Sequence, residues 1–164
     1  MPIYTVPMAA PADSLHDRWM RLALEEARRG LDAGEVPIGA VVVFEDRAIG
    51  RAFNQPIGRS DPTAHAEVLA MRQASQAIAN YRLTGATLYV TLEPCLMCAG
   101  AMVHARIGTL VFGALERKTG AIVSNLQALA LPYHNHRVEV VSGVLEADCR
   151  EIVQEFFRQR RAAP

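Results

Sequence analysis

The chain has 164 residues, of which 51% are hydrophobic, and its formal net charge at pH 7 is zero. This length fits a single domain, and the hydrophobic content excludes a disordered chain. Zero net charge argues against bulk binding of nucleic acid, so a nucleic-acid partner would need a local patch. No apolar run approaches the roughly 20 residues that cross a bilayer. Three cysteines, two of them in C-x-x-C spacing, favour the cytoplasm over a disulfide framework.

The first 13 residues contain three prolines and no charge before Asp13, which is typical of a disordered leader. Residues 14–161 are predicted as one domain, since no linker or repeat divides them. An amphipathic helix and a valine-rich hairpin come first, and strands then alternate with helices. This order predicts a three-layer α/β/α domain with a mixed five-stranded sheet. The predicted helices are 14–34, 61–79, 95–105, 124–129 and 145–161, and the predicted strands are 35–44, 48–53, 87–92, 109–112 and 138–141.

Two short stretches carry metal-binding chemistry. His65 is followed two residues later by Glu67, and Pro94 precedes Cys95 and Cys98. One imidazole and two thiols are suitable ligands for zinc, and three protein ligands leave the fourth position open for water. That is the arrangement of a catalytic zinc, with Glu67 as the candidate general acid and base.

Both stretches are predicted at helix starts. Asp61 and Pro62 are expected to cap and begin the helix that carries His65 in its first turns. Pro94 is expected at the first position of the helix that carries Cys95. The two cysteines are three residues apart and share one helical face, where the helix dipole favours thiolate over thiol.

Each of these signals has an ordinary explanation when taken alone. An isolated C-x-x-C can be a redox pair or chance, and a single histidine is commonly just a hydrogen-bonded side chain. A structural zinc would need a fourth protein ligand. The candidates for that ligand are His16, His104, His134 and His136. Cys149 lies in a predicted helix, where an inert buried thiol is the default interpretation.

The two stretches spell H-x-E followed by P-C-x-x-C, the signature of the zinc-dependent cytidine deaminase superfamily. The surrounding sequence, from about residue 14 to residue 161, resembles the bacterial tRNA adenosine deaminase family. The segments that carry this resemblance are E-V-P-I-G-A (35–40), N-Q-P-I-G (54–58), D-P-T-A-H-A-E (61–67), T-L-E-P-C-L-M-C-A-G-A (91–101), V-F-G-A (111–114), K-T-G (118–120), N-H-R (135–137) and F-F-R-Q-R-R (156–161). The signature alone indicates a deaminase, whereas the flanking segments indicate the tRNA enzyme.

This resemblance implies a cytidine deaminase-like fold and conversion of adenosine to inosine at the wobble position of a tRNA anticodon. It implies one zinc ion per subunit, held by His65, Cys95 and Cys98, with Glu67 moving protons between water, purine and departing amine. It also assigns Asn54 to hydrogen bonding of the base, because an amide offers both a donor and an acceptor. Without the family, an Asx turn is the simpler interpretation of Asn54.

The partners implied are a tRNA anticodon stem-loop and a second subunit in a homodimer, with no membrane. Lys118, Phe157 and Arg160 are the candidates for contacting RNA, together with Arg158 and Arg161. Basic residues also suit a helix C-terminus, and Phe157 can equally be core. The apolar helical face over residues 98–103 could pack against a partner subunit or against the sheet.

Leu115 and Glu116 depart from the family, which often has arginine or another polar residue followed by aspartate at these positions. In the family this loop lies near the substrate, so the departure bears on the fine contacts with the RNA and not on the chemistry. A deaminase acting on guanine, cytosine or a nucleoside is the alternative, since the same zinc chemistry serves those substrates. A third hypothesis is an interaction module with a structural zinc, and Glu67 argues against it.

Overall fold

The computed structural model describes residues 14–163, so the leader predicted over residues 1–13 lies outside the described residues. The described chain forms α1 (Leu15–Asp32), β1 (Gly39–Phe44), β2 (Arg47–Phe53), α2 (Pro56–Arg59), α3 (Ala66–Ala77), β3 (Thr87–Leu92), α4 (Leu96–Ala105), β4 (Thr109–Ala114), a 3-10 turn (Ala128–Ala130), β5 (Glu139–Ser142) and α5 (Glu146–Ala162). Among the described helices, none is long and apolar enough to span a membrane.

The five strands form one mixed sheet in the order β2-β1-β3-β4-β5. β1 pairs antiparallel with both β2 and β3, whereas β3, β4 and β5 are parallel to one another. The predicted hairpin and mixed five-stranded sheet are therefore confirmed. The parallel step from β3 to β4 uses α4 as its crossover, as parallel neighbours require.

Helices cover both faces of the sheet, which confirms the three-layer α/β/α architecture. Successive residues of a strand point to opposite faces, so each central strand contributes to two cores. Val42, Leu88 and Phe112 belong to the core beneath α3 and α4. Val41 and Val111 belong to the core beneath α1 and α5. Burial of each such side chain stabilises the fold by roughly 1.5–3 kcal/mol.

Two glycines let helices approach the hairpin closely. A Cβ atom at Gly39 would overlap the carbonyl oxygen of Ala23 in α1, and one at Gly50 would overlap that of Ala70 in α3. Glycine has no Cβ, so the backbone of each helix packs directly on a strand. The contact at Gly50 positions α3, the helix that begins immediately after His65.

Several predicted boundaries are wrong. The helix predicted from Asp61 begins only at Ala66, because the Asp61 Oδ1 atom accepts hydrogen bonds from the Thr63 N–H at 2.8 Å and Thr63 hydroxyl at 2.7 Å. This local turn competes with helix formation. α4 begins at Leu96 and Pro94 lies outside it. β1 begins at residue 39 rather than 35, α2 lies in a predicted loop, and the helix predicted over 124–129 is the 3-10 turn.

Candidate metal centre and active site

The site lies at one end of the strands, where the first residues of β1 meet the C-terminal ends of β2, β3 and β4. The register pairs Gly39 with Phe53, and the Gly39 N–H donates to the Thr91 hydroxyl at 3.2 Å. At the same edge, the Glu93 N–H donates to the Ala114 carbonyl oxygen at 2.8 Å. The segments that follow β2, β3 and β4 therefore start side by side, as expected for a ligand site at strand ends.

His65 and Cys95 occupy equivalent positions, since each is the N-cap residue of its helix. Both have extended backbone conformations, and their carbonyl oxygens accept the first helical hydrogen bonds, from Leu69 and Ala99, at 3.0 Å. Neither side chain makes a capping hydrogen bond. Both side chains are therefore available to a ligand at the positive ends of two helices.

The side chains of His65, Cys95 and Cys98 converge. The Sγ atoms of Cys95 and Cys98 each lie 3.6 Å from His65 Nδ1, and all three donor atoms lie within 4.8 Å of one another. Zinc bonds of about 2.1 Å to nitrogen and about 2.3 Å to sulfur, at a tetrahedral angle, require a separation of about 3.6 Å. The donor set fits zinc in both chemistry and spacing.

The two thiols differ in protonation. The hydrogen bond from Cys98, followed by interactions with His65, lowers the pKa of Cys95 to about 4. The same bond and burial raise the pKa of Cys98. The interaction with Cys95 also raises the pKa of His65. A metal ion bound here would displace the proton of Cys98, so metal binding is coupled to proton release.

Glu67 lies in the first turn of α3 and is only 4% exposed. Burial raises the pKa of its carboxyl group to about 6, opposed in part by His65 and Cys98. A carboxyl group with such a pKa can both accept and release a proton near neutral pH. The arrangement can therefore transfer a proton next to the three donor atoms.

A small cavity of about 60 Å³ opens beside these groups. Its lining consists of Ile38, His65, Glu67, Leu92, Glu93, Cys95, Glu116 and Thr119. Glu116 and Thr119 belong to the loop after β4, so this loop forms part of the cavity wall. Glu93 is not among the residues predicted from the sequence, although a carboxylate that ends an apolar strand just before P-C-x-x-C indicates a place at the site.

Asn54 directly follows β2, next to the cavity-lining Ile38, and is 6% exposed. Its backbone N–H donates to the carbonyl oxygen of Ile38 at 3.0 Å. Within residues 14–163 its side-chain amide makes no hydrogen bond, so no Asx turn forms there, in contrast to Asp61. The amide therefore keeps a donor and an acceptor for a ligand.

The candidate RNA contacts are divided between two places. Lys118 is exposed on the loop after β4, next to the cavity-lining Thr119. Phe157 and Arg160 lie on the last turns of α5, which packs on the other face of the sheet from α3 and α4. Arg160 donates to the Gly34 carbonyl oxygen at 3.0 Å, and Phe157 is 43% exposed. Lys118 therefore lies on the loop that lines the cavity, whereas Phe157 and Arg160 lie on α5, with Arg160 bonded to the segment that precedes β1.

Leu115 and Glu116, the two residues that differ from the family pattern, lie on the loop after β4. Leu115 is 45% exposed, and the Glu116 side chain accepts a hydrogen bond from the Lys118 N–H at 2.8 Å.

On α4, Cys98, Ala99 and Met102 are buried within this chain's own core. Half of the residues over 98–103 are therefore buried in this chain, and Gly100, Ala101 and Val103 are half-buried.

The other histidines do not join the donor group. His16 contacts the Tyr89 hydroxyl at 2.9 Å, and His134 and His136 contact the carbonyl oxygens of Ala128 and Ile107 at 2.8 and 2.7 Å. Among the described residues, only His65, Cys95 and Cys98 form a group able to hold a metal. Three donors with an adjacent buried carboxyl group favour a catalytic zinc over a four-ligand structural site.

The α/β/α fold with His, Cys and Cys donors beside a buried glutamate defines a deaminase of the cytidine deaminase-like class. Consistent with this, residues 14–161 match the family model of MafB19-like deaminases. The chain is 51% identical over 146 residues to a tRNA-specific adenosine deaminase from Haemophilus influenzae, covering 88% of this chain and 84% of that relative. It is 46% identical over 143 residues to one from Agrobacterium fabrum, covering 87% and 94%.

A solved structure points to the same family. It comes from studies of A-to-I editing by tRNA:A34 deaminases at the wobble position of transfer RNA. It matches with a TM-score of 0.80 and 46% identity, covering 82% of this chain and 98% of that one. The chain therefore belongs to the family of tRNA-specific adenosine deaminases. The family and the fold predicted from the motifs are confirmed.

Proposed function

We propose that this protein converts adenosine to inosine at the wobble position of a tRNA anticodon. The observation that carries the proposal is the convergence of His65, Cys95 and Cys98 beside buried Glu67. The chain that contains this group is 51% identical to a tRNA-specific adenosine deaminase. Unpaired anticodon bases enter a pocket at lower energetic cost than bases in a duplex.

His65, Cys95 and Cys98 would hold one zinc ion per subunit. Zinc bound by these ligands would supply an activated water as nucleophile at neutral pH. In the net reaction, C6 of adenine gains the oxygen of water and loses its amino group as ammonia. Glu67 would accept one proton of the water and pass it to N1 of the purine. It would then take the second proton, from the hydroxyl group now on C6, and deliver it to the amino group, which leaves as ammonia. One buried carboxyl group with a pKa of about 6 suits both roles.

Asn54 would orient the base. Its backbone is bonded to the cavity-lining Ile38, and its buried side-chain amide has no partner among the described residues. A purine edge presents both acceptors and donors, so one amide can make two hydrogen bonds to it. This contact would position C6 relative to the metal ligands.

The decisive experiment compares substrates. The purified protein is incubated with an anticodon stem-loop carrying adenosine at the wobble position, and inosine is detected by sequencing. In parallel, ammonia release is measured from free adenosine, guanine and cytosine. Inosine in the stem-loop alone supports the proposal, whereas release from free bases or nucleosides alone supports the small-molecule alternative. A Glu67→Ala protein that keeps its zinc provides the inactive control.

Lys118, Phe157 and Arg160 would contact the RNA. Lys118, Phe157 and Arg160 are all exposed, and Arg160 lies in the last turn of α5. Arg160→Glu should weaken stem-loop binding at low salt without lowering zinc content. Arg150→Glu, on the same helix and also exposed, is the matched control. Equal binding by both variants would remove Arg160 from the RNA-contact set.

The protein would act in the cytoplasm as a homodimer. Half-buried Val68, Ala101 and Val103 and exposed Tyr81 leave apolar surface on and near α3 and α4. Sedimentation should then give twice the chain mass. Residues 14–161 would form the whole deaminase domain, so a protein that lacks residues 1–13 should retain full activity.

A further inference from the structure

Glu93 is a buried carboxylate without a cationic partner in the described chain. It follows β3, lies two residues before Cys95, and is 3% exposed. Buried charges are normally paired with an opposite charge or fully hydrogen-bonded. Glu93 is of the second kind, since its described partners are four backbone N–H groups and one hydroxyl group.

All five donors come from one loop, residues 115–125, which follows β4. Oε1 accepts from three consecutive N–H groups, those of Ile122 at 3.1 Å, Val123 at 2.7 Å and Ser124 at 2.8 Å. Oε2 accepts from the Glu116 N–H at 3.0 Å and from the Ser124 hydroxyl. One side chain therefore ties together the beginning and the end of the loop.

The backbone of the loop is shaped around this carboxylate. A Cβ atom at Gly120 would overlap Glu93 Oε2 and the carbonyl oxygen of Glu116, so only glycine lets the loop close this tightly. The Gly120 N–H donates to the Glu116 carbonyl at 2.9 Å, and the Ala121 N–H donates to the Pro94 carbonyl at 2.9 Å. The loop is thus anchored to the strand-to-helix turn that also carries Cys95.

The same loop contributes Glu116 and Thr119 to the lining of the cavity, which His65 and Glu67 also line. We propose that Glu93 is a positioning residue that sets the shape of the base-binding cavity by holding residues 115–125 against the metal-ligand turn. It acts through the backbone of the loop and does not take part in the chemistry. The inference rests on the proposed function, because the cavity is taken to receive the target base.

The test is Glu93→Gln, which keeps the size of the side chain but replaces one acceptor oxygen with a donor amide. We expect kcat/KM for the anticodon stem-loop to fall by roughly 10- to 100-fold, mainly through a higher KM. Zinc content should stay at one ion per chain. Independently of activity, amide hydrogen exchange over residues 115–125 should become roughly tenfold faster or more.

Glu26→Gln is the matched control, because Glu26 is also buried, at 1% exposure, but pairs with Arg29 and Arg51. It should lower stability without changing KM or exchange in the loop. Ser124→Ala removes one of the five hydrogen bonds and serves as a milder variant if Glu93→Gln folds poorly. It should show the same changes to a smaller degree.

Gly120→Ala perturbs the same arrangement from the loop side. The double variant with Glu93→Gln should be little worse than either single variant, because both disrupt one contact set. Unchanged KM and unchanged loop exchange in Glu93→Gln or in Ser124→Ala would overturn the inference. Absence of inosine formation by the wild-type protein would instead refute the proposed function, and the exchange measurement would still test whether Glu93 holds the loop.

Discussion

Replacement of Glu67 by glutamine separates the chemical role of this carboxyl group from its effect on folding. Glutamine has nearly the same size, and the position is 4% exposed in the first turn of α3, so packing should be preserved. Glutamine cannot exchange protons as a carboxyl group does. General acid and base catalysis contributes about 10²- to 10⁴-fold, so kcat should fall by that factor while zinc is retained.

The same substitution should stabilise the metal-free protein at neutral pH. Burial raises the pKa of Glu67 from 4.5 to about 6, a difference that corresponds to about 2 kcal/mol. Between the pKa of the unfolded chain, 4.5, and that of the folded protein, about 6, the folded protein binds more protons than the unfolded chain. Wild-type stability therefore falls as pH rises through this window. Glutamine is neutral at every pH, so this loss does not occur in the Glu67→Gln protein. The free energy of unfolding of the variant, relative to that of the wild-type protein, should therefore be higher at pH 7 than at pH 4 by up to about 2 kcal/mol.

Urea unfolding of both metal-free proteins at the two pH values measures this difference. The chain has a single tryptophan, Trp19, which is 5% exposed in the core beneath α1 and α5, and its fluorescence reports unfolding. An equal stability difference at both pH values would refute the argument from burial. Activity above about a tenth of wild type, with zinc retained, would remove Glu67 from the proton-transfer steps.

Three further outcomes are expected. Asn54→Ala should lower kcat/KM by roughly 10- to 100-fold, the value of about two hydrogen bonds, with zinc content unchanged; wild-type kinetics would exclude base contact. Gly39→Ala should destabilise the fold by about 3 kcal/mol or more in urea unfolding, because its Cβ atom would overlap α1. Gly100→Ala is the control, because a Cβ atom there would meet no atom within 4 Å, and it should be neutral or stabilising by up to about 1 kcal/mol. Equal losses of stability in the Gly39 and Gly100 variants would contradict the packing argument. Chelation should abolish activity, and Zn²⁺ but not Mg²⁺ should restore it, because thiolate and imidazole ligands favour zinc.

Much of the sheet could be predicted from local sequence. The strand predicted over residues 87–92 matches β3 to the residue, because an apolar, β-branched run buried on both faces has few alternatives. The hairpin of β1 and β2 is predictable in the same way, because the charged residues Glu45 and Asp46 mark the turn between the two strands. The strand predicted from residue 35 begins only at residue 39, because the Ile38 N–H bonds locally to the Val36 carbonyl oxygen instead of to a neighbouring strand. Glu35 instead accepts a hydrogen bond from the Gly58 N–H at 2.6 Å.

The metal donors and the role of Glu93 differ in what determines them. Cys95 and Cys98 are close through helical spacing, and the strand order brings His65 to them, so motif and topology together predict the group. The donors to Glu93 lie 23 to 31 residues further along the chain and are mostly backbone N–H groups. Backbone donors have no residue-type signature, and only the folded loop identifies them.

The error at the start of α3 has a functional cause. Sequence rules place helix starts at Asp, Ser, Thr or Asn, because these side chains cap the first N–H groups and contribute about 1 kcal/mol. Here the N-cap positions of α3 and α4 are His65 and Cys95, and neither caps its own helix. Neither helix has a side-chain cap. The imidazole of His65 and the sulfur of Cys95 instead approach each other to 3.6 Å near the positive ends of the two helices. Asp61 satisfies the capping pattern four residues too early because the cap position itself is occupied by a candidate metal ligand.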